Sequence, residues 1–451
     1  MKAIERRKFI RQSATIAGVL GAAPLLPLEA TERKRNIPAS DKMRMGVIGC
    51  NGMGWADMRS LLSMQEVDCV GVCDVDQSVL DRRSEDVMKL RGTKAAQYKD
   101  YRKLLDDKTI DAVVIGTPDH WHPRIFVDAL AAGKHIYCEK PIANSIGEAQ
   151  WMLSAAEKSD RMVQIGQWQR SGPHYEQAIK IVRSGDLGNI RLVKVWAYQG
   201  WMKPMEKQPD GMVPDGVDYT MWLGPAPTRP FNPNRFHFNF RWFWDYAGGL
   251  MTDWGVHEID IALYAMNATA PKSIVASGGK LAYPDDPAET PDTLQAVFEY
   301  DHFNMLWEHA TGIDGGNYGR TEGIAFIGNN ATLVVNRGGW EIIPETQYDG
   351  DKGMTVYKYP AVPEYNKPGN LNYLDLHTQN FIQAIKNNDP GSLKCGIRTG
   401  SVAAINAHMG NIAFKTGRKI YWDSTKNQFK NDAEATALIQ PTYHNGWKYE
   451  G

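Results

Sequence analysis

Residues 110–141 read IDAVVIGTPDHWHPRIFVDALAAGKHIYCEKP, and this stretch decides the fold. Its first part, 110–115, is a continuous apolar run rich in β-branched residues, which predicts a strand buried on both faces of a parallel sheet. The segment 124–132 is mainly apolar and is followed by Gly133, which predicts a crossover helix and its end. A second short strand is expected over 135–138. This order predicts a doubly wound α/β sheet, whose ligands bind beyond the carboxyl ends of the strands.

Lys140 stands at such a carboxyl end, directly after the second strand. Pro141 has no N–H and disfavours the helical region for the residue before it, so Lys140 is expected in an extended conformation at the sheet edge. On spacing alone, a solvated loop lysine beside a proline remains the alternative to a working side chain.

A glycine-rich turn follows the strand predicted over 43–48 and opens a helix, so backbone N–H groups can approach a pyrophosphate there. Asn51 takes the place of the middle glycine of GxGxxG, and asparagine tolerates the left-handed region better than other side chains. Asp74 ends the next strand, 67–73, where an acidic side chain bonds the adenosine ribose in dinucleotide-binding folds. The turn residues predicted to contact a cofactor are Gly49, Asn51, Gly52, Met53 and Gly54.

A second group of reactive side chains follows the pair Gly248-Gly249. Asp253 and His257 are four residues apart, so on one helix their side chains can meet. A carboxylate bonded to one ring nitrogen orients an imidazole and supports its charged form, as a base that takes a hydroxyl proton requires. A helix-capping aspartate with a structural histidine is one alternative. A metal site is another, but no further ligand cluster supports it and Lys140 would repel a cation, so no metal is expected.

These motifs together resemble the Gfo/Idh/MocA oxidoreductases over roughly residues 43–415. The resemblance implies that Lys140 lies between nicotinamide and substrate and stabilises a developing alkoxide. It implies that His257 takes the hydroxyl proton and that Asp253 orients it. The same resemblance assigns cofactor contacts to Thr117, Pro118, His122, Glu139, Lys140 and Gln167.

The resemblance implies an NAD-dependent oxidoreductase that transfers hydride at a secondary hydroxyl of a sugar, glycoside or cyclitol, with tightly bound cofactor. NAD is expected rather than NADP because the Asp74 carboxylate would repel a 2′-phosphate. A redox-neutral NAD-dependent glycoside hydrolase is the alternative, acting by transient oxidation, elimination, hydration and reduction. A Schiff-base lyase that uses Lys140 and a sugar sensor with structural NAD stand further away.

The length of 451 residues predicts two domains. We expect a Rossmann domain over 43–170, and a substrate-binding and oligomerisation α/β domain with a large, mostly antiparallel open sheet over 171–451. With 51 basic and 52 acidic residues, the chain offers no electrostatic reason to bind nucleic acid. Five cysteines without metal spacing are predicted core residues. Three tryptophans are candidates for a carbohydrate cleft or for core packing, namely Trp201, Trp242 and Trp244.

The first thirty residues resemble a twin-arginine (Tat) export signal. Arg6-Arg7 precedes an apolar stretch from Ser13 to Leu28, so residues 1–30 are expected to be a signal, 31–42 a linker, and the protein a periplasmic homo-oligomer. The stretch is short for a membrane span, so only an uncleaved signal would anchor the chain. A disordered basic arm is the alternative.

Overall fold

The structure, a computed structural model, describes residues 42–451. The predicted signal, 1–30, and all but the last residue of the predicted linker lie outside the described residues. The α-helices are α1 (Gly52–Leu61), α2 (Gln77–Arg91), α3 (Tyr101–Asp106), α4 (His122–Ala131), α5 (Ile146–Glu157), α6 (Pro173–Ser184), α7 (Tyr219–Leu223), α8 (Leu250–Asp253), α9 (Gly255–Met266), α10 (Tyr373–Asn387), α11 (Ile397–Thr416) and α12 (Ala433–Ala437).

Two large sheets and one small hairpin hold the strands together. The strands are β1 (Met43–Ile48), β2 (Val67–Cys73), β3 (Ala96–Tyr98), β4 (Ala112–Ile115), β5 (His135–Cys138), β6 (Val163–Ile165), β7 (Leu192–Gln199), β8 (Ser273–Gly279), β9 (Thr293–Glu299), β10 (Asn304–Thr311), β11 (Glu322–Ile327), β12 (Ala331–Asn336), β13 (Gly339–Pro344), β14 (Thr346–Asp349), β15 (Met354–Tyr357), β16 (Tyr365–Asn366), β17 (Ile420–Asp423) and β18 (Gln428–Phe429).

The first sheet has six parallel strands in the order β3-β2-β1-β4-β5-β6. This is the strand order of doubly wound dinucleotide-binding folds. Every residue of β4 is buried. Val113 and Ile115 face one hydrophobic cluster, whereas Ala112 and Val114 face another, so the sheet is covered on both sides. The predicted Rossmann sheet is confirmed.

The second sheet has ten strands in the order β16-β13-β12-β11-β7-β10-β9-β8-β17-β18. Its main ladders are antiparallel except the parallel pair β7 and β10. In β9, buried and accessible residues alternate, because one face packs on helices and the other is open. Ile259 of α9 and Met409 of α11 lie in the buried cluster with Phe298. The predicted open, mostly antiparallel sheet is confirmed.

The chain returns to the first sheet near its end. Phe381 and Ile382 of α10 belong to the hydrophobic cluster of β1 and α1, and Ser60 Oγ donates a hydrogen bond to Asp375 Oδ1 at 2.6 Å. Segment 171–451 therefore supplies part of the first core as well as the second sheet, and a boundary at residue 170 stays a prediction.

The five cysteines are free and buried, as expected of core residues. Within residues 42–451, no helix combines the length and apolar character needed to cross a membrane. The same part of the chain brings together no group of three or more His, Cys, Asp or Glu side chains suited to a metal ion.

Candidate active site

A cavity of about 1180 Å³ runs along the carboxyl ends of the parallel strands. On the sheet side it is lined by the glycine-rich turn, Asp74, residues 116–119 and Lys140. Across from them lie side chains of the second half of the chain, which are Met221, Trp222, His237, Phe238, Phe240, Arg241 and Asp253. Ligands of open α/β sheets bind at this edge, so the cavity is the candidate active site.

The glycine-rich turn has the close backbone packing that a dinucleotide needs. A Cβ on Gly49, whose φ is +78°, would stand 2.6 Å from Thr117 N, and one on Gly54 would stand 2.1 Å from Gly49 O. Gly52 has φ +48° and meets nothing within 4 Å, so its open side leaves room for a pyrophosphate. Asn51 is extended, with φ −96°, because the positive φ falls on Gly52 instead. The left-handed conformation considered for Asn51 is therefore not needed.

Asp74 lies where a ribose-binding carboxylate is expected. Its Oδ2 accepts the Cys50 N–H at 3.1 Å and its Oδ1 accepts the Asp76 N–H at 3.2 Å, so it is fixed to the glycine-rich turn. Burial raises the pKa of Asp74, and the two backbone hydrogen bonds oppose that rise. The side chain lines the cavity and fits the predicted role.

A contact from the second half of the chain covers this end of the cavity, and the sequence gave no sign of it. His237 Nε2 lies 3.1 Å from Asp76 Oδ2. Backbone hydrogen bonds join Asp218 N–H to Val75 O at 2.9 Å and Gln77 N–H to Gly216 O at 3.2 Å. We call these contacts of 216–218 and His237 with 75–77 the clasp.

The turn after β4 is tied to the turn that carries Lys140. His122 lies between two carbonyl oxygens, with Nε2 2.7 Å from Thr117 O and Nδ1 2.7 Å from Pro141 O. Burial lowers the pKa of His122 to about 4, so the ring is neutral and donates to one of them. Thr117 Oγ1 is buried without a partner in residues 42–451, which leaves it for a bound cofactor. Thr117, Pro118 and His122 all line the cavity.

Lys140 forms the centre of the site. Its ammonium donates to Asp253 O at 3.1 Å and to Asp253 Oδ1 at 3.2 Å, and only 11% of its side chain is exposed. Arg241 Nε also donates to Asp253 Oδ1, at 3.3 Å. Burial raises the pKa of Asp253, but the Lys140 and Arg241 charges outweigh it and hold the pKa below its ordinary value. An ammonium has three N–H donors, so one is left for a ligand.

Asp253 and His257 do not share a helix face as predicted. Helix α8 ends at Asp253, α9 begins at Gly255, and the His257 N–H bonds Trp254 O at 3.0 Å. The physical reason is that Lys140 takes the Asp253 carbonyl, which in a continuous helix would accept the His257 N–H. The carboxylate of Asp253 bonds cations instead of orienting the imidazole.

His257 is present but is neither charged nor in the cavity lining. Its ring packs against Trp168 and Trp254, and Nδ1 is buried with no partner among residues 42–451. Burial first, then the charges of Lys140 and Arg337, lower its pKa well below 6.5. The expectation of a charged imidazole is therefore wrong, whereas its predicted role as a base, which needs the neutral form, stays a prediction.

Two predicted cofactor residues lie outside the lining. Gln167 Nε2 donates to Val256 O at 3.1 Å and its Oε1 accepts from Cys395 Sγ at 2.9 Å, so both ends of the amide are used within the protein. Gly54 packs on Gly49 and Gly116, where it brings helix and strand together instead of facing the cavity. Met53, Asn51 and Glu139 do line the cavity.

Several charged groups at the site escaped sequence reasoning. Asp119 lines the cavity, and burial raises its pKa to about 8. Beneath the site, both carboxylate oxygens of Asp57 are buried without a partner in residues 42–451, and burial followed by the Glu139 charge raises its pKa well above the usual range. Asp119 lies in the TPDHWH motif and could have been noted. Arg241 and Asp57 carry no sequence signal that separates them from ordinary charged residues.

Three family models match this chain. One described as "Oxidoreductase family, NAD-binding Rossmann fold" matches residues 43–167. "Oxidoreductase family, C-terminal alpha/beta domain" matches 172–278, and "GFO/IDH/MocA C-terminal domain" matches 227–334. Fold and site define an NAD-binding oxidoreductase with a second, open-sheet half. The chain belongs to the Gfo/Idh/MocA family of NAD(P)-dependent oxidoreductases.

Similar proteins differ in activity. The inositol 2-dehydrogenase of Salmonella typhimurium (strain LT2) is 30% identical over 186 residues, covering 40% of this chain and 54% of that protein. The alpha-N-acetylgalactosaminidase of Shewanella oneidensis is 27% identical over 206 residues, covering 42% of this chain and 45% of that protein. The chain thus spans about half the length of these curated relatives.

Solved structures share the fold. A levoglucosan dehydrogenase in complex with NADH and levoglucosan has a TM-score of 0.62 at 18% identity, covering 84% of this chain and 99% of that one. The aldose-aldose oxidoreductase from Caulobacter crescentus has a TM-score of 0.58 at 20% identity, covering 84% and 100%.

Proposed function

We propose that the protein transfers hydride at a secondary hydroxyl of a sugar, glycoside or cyclitol, using tightly bound NAD. The observation that carries this proposal is the Lys140 ammonium, which is fixed by two hydrogen bonds to Asp253 and keeps one donor for a ligand oxygen in the cavity. Nicotinamide supplies the hydride acceptor when bound.

Lys140 is the residue that contacts the reacting oxygen in this proposal. Its free N–H donates to the hydroxyl and stabilises the negative charge that develops as hydride leaves the carbon. The Asp253 carboxylate holds the ammonium in place and balances its charge, while Arg241 holds Asp253 from the other side. No reorganisation is then needed during the reaction.

His257 receives the hydroxyl proton in this proposal. Its lowered pKa keeps the ring neutral, which is the form that accepts a proton. Because the ring lies outside the cavity lining, the proton passes by way of Lys140, whose charge already acts on the pKa of His257.

The clasp supports tight binding of the cofactor. Residues 216–218 and His237 bond the segment after β2, next to Asp74. A dinucleotide beneath these contacts cannot leave without breaking them. Asp74 favours NAD over NADP because its carboxylate accepts bonds from ribose hydroxyls and repels a 2′-phosphate.

A redox-neutral glycoside hydrolase is the second candidate. It is supported by the similarity to the alpha-N-acetylgalactosaminidase, which matches a share of this chain comparable to that matched by the inositol dehydrogenase. Such an enzyme would use Lys140 in the same way, because it also oxidises and later reduces one ring carbon.

One experiment separates the two candidates. Purified protein without added NAD is incubated with a glycoside deuterated at the oxidised carbon, and the products are weighed by mass spectrometry. Deuterium transferred to a second sugar supports the oxidoreductase, whereas deuterium retained in a hydrolysed sugar supports the glycosidase. Turnover only with added soluble NAD would contradict tight binding.

We also propose that the protein is exported to the periplasm and forms a homo-oligomer. Export rests on Arg6-Arg7, and a variant with both replaced by lysine should stay in the cytoplasm. Assembly rests on the open face of the ten-stranded sheet, where Val275 and Val297 are accessible. A monomeric mass in sedimentation experiments would contradict it.

A further inference from the structure

A second cavity, of about 610 Å³, lies beside the candidate active site. We propose that it binds a second sugar ring, so that the substrate is a disaccharide or longer glycan and not a free monosaccharide. This inference rests on the proposed function and narrows its substrate class. The lining includes Trp201, Phe238, Trp242, Tyr283, Asn239 and Thr311.

The two cavities are continuous in structure because Phe238 lines both. Arg241 links them: it donates to Asp253 Oδ1 on one side and to Phe238 O at 3.0 Å on the other, and its guanidinium lies 4.7 Å from the centre of the Phe238 ring. A ligand that meets Lys140 with one ring therefore extends over Phe238 into the second cavity.

Accessible aromatic rings form one wall. Trp201 is 59% exposed and Phe238 is 53% exposed, and their ring centres are 6.1 Å apart at an angle of 64°. Trp201 Nε1 donates to Gln199 Oε1 at 2.6 Å, which fixes the indole. Large apolar rings left open in a concave site mark a binding surface, and the C–H face of a sugar ring covers them.

The cavity also offers an unused polar group. Thr311 is only 5% exposed, and its Oγ1 is buried without a hydrogen-bond partner in the part of the chain that the structure describes. A buried hydroxyl without a partner is unfavourable, so a ligand hydroxyl that bonds Thr311 would be favoured over an apolar ligand.

The charges of the lining point to a neutral ligand. Asp286 Oδ2 accepts the Met205 N–H at 2.7 Å, and Asp292 accepts the N–H groups of Leu281 and Tyr283, each at 2.9 Å. These carboxylates are occupied by the backbone and do not form a cation site. Lys280 is likewise bonded to the Asp286 carbonyl. A neutral polyhydroxyl ring satisfies the aromatic wall and Thr311 together.

The test compares disaccharides with their component sugars. Maltose, cellobiose and lactose are assayed beside glucose and galactose, and the ratio of kcat/KM for the disaccharide to that for the monosaccharide is measured. We expect wild-type protein to favour a disaccharide about tenfold or more, and Trp201→Ala to lower that ratio about tenfold. Tyr348→Ala, which removes another exposed aromatic ring, should leave the ratio unchanged.

A calorimetric titration of the same sugars makes the result independent of turnover. Disaccharide binding that weakens in both Trp201→Ala and Thr311→Val supports the subsite even if no sugar is oxidised, in which case only the proposed reaction fails. Oxidation of a monosaccharide with no preference for any disaccharide overturns the subsite and leaves the proposed reaction standing. No binding of any of the three disaccharides to wild-type protein also overturns it.

Discussion

The two sides of the candidate active site are built from different parts of the polypeptide. On the cofactor side, backbone atoms of Gly49, Gly54 and Gly116 pack so closely that no Cβ fits. On the substrate side, side chains meet across the cavity, and Lys140, Asp253 and Arg241 form a chain of charges. The first arrangement is written in a local motif, whereas the second depends on how distant segments are brought together.

This difference predicts different responses to mutation. A change on the backbone-built side should alter cofactor binding and stability, because it moves main-chain atoms. A change on the side built from charged groups should alter the reaction and leave the fold in place, because those groups lie in an open cavity.

The largest effect is expected for Lys140→Met. The change removes the donor that stabilises the developing alkoxide, so turnover should fall on the order of a thousandfold while bound NAD and thermal stability are retained. Lys415→Met is the matched control, since the Lys415 ammonium lies 3.9 Å from the centre of the Trp244 ring, outside the cavity lining. A Lys140 variant that lost NAD but kept its turnover per bound NAD would contradict the comparison.

A smaller effect, about a hundredfold in kcat/KM, is expected for His257→Asn. A base works in its neutral form, so activity falls as pH falls through its pKa, and burial places that pKa well below 6.5. The wild-type rate should therefore hold steady down to pH 6.5 and decline only in more acidic solution. The variant should lack that acid limb. His309→Asn is the control for loss of a buried histidine, and a purely structural role for His257 would leave the acid limb in place.

The smallest effect is expected for Gly49→Ala. The new Cβ would meet Thr117 N at 2.6 Å, so the turn must shift, and the amount of NAD that copurifies should fall about tenfold with a loss of about 1–3 kcal/mol in stability. Gly133→Ala is a close control, because Gly133 has nearly the same φ, +76°, but open space around it. If both variants lost the same amount of NAD, strain alone would explain the loss.

The cofactor side could be predicted from sequence because each of its features depends on neighbours along the chain. The apolar run of β4, the glycine-rich turn and Asp74 all lie where their local patterns indicate. The order of the parallel strands follows from the repeated strand-helix pattern.

The substrate side could not be predicted in detail. The spacing of Asp253 and His257 indicated one helix face, but Lys140, more than a hundred residues earlier, takes the carbonyl that would continue the helix. Arg241 and His237 come from a long irregular segment whose path is set by tertiary packing. Such contacts leave no periodicity for sequence analysis to detect.

The return of α10 to the first sheet affects how the protein folds. Ser60 and Asp375, which are hydrogen-bonded, are 315 residues apart, and Lys386 pairs with Glu66 across 320 residues. All six strands of the first sheet have been synthesised by residue 165, but one of its hydrophobic clusters lacks Phe381 and Ile382 until nearly the whole chain has been made. Contacts this distant slow folding, because the loop must close before they form. The nascent Rossmann half therefore leaves the ribosome with an exposed apolar surface, which makes chaperone binding during translation advantageous.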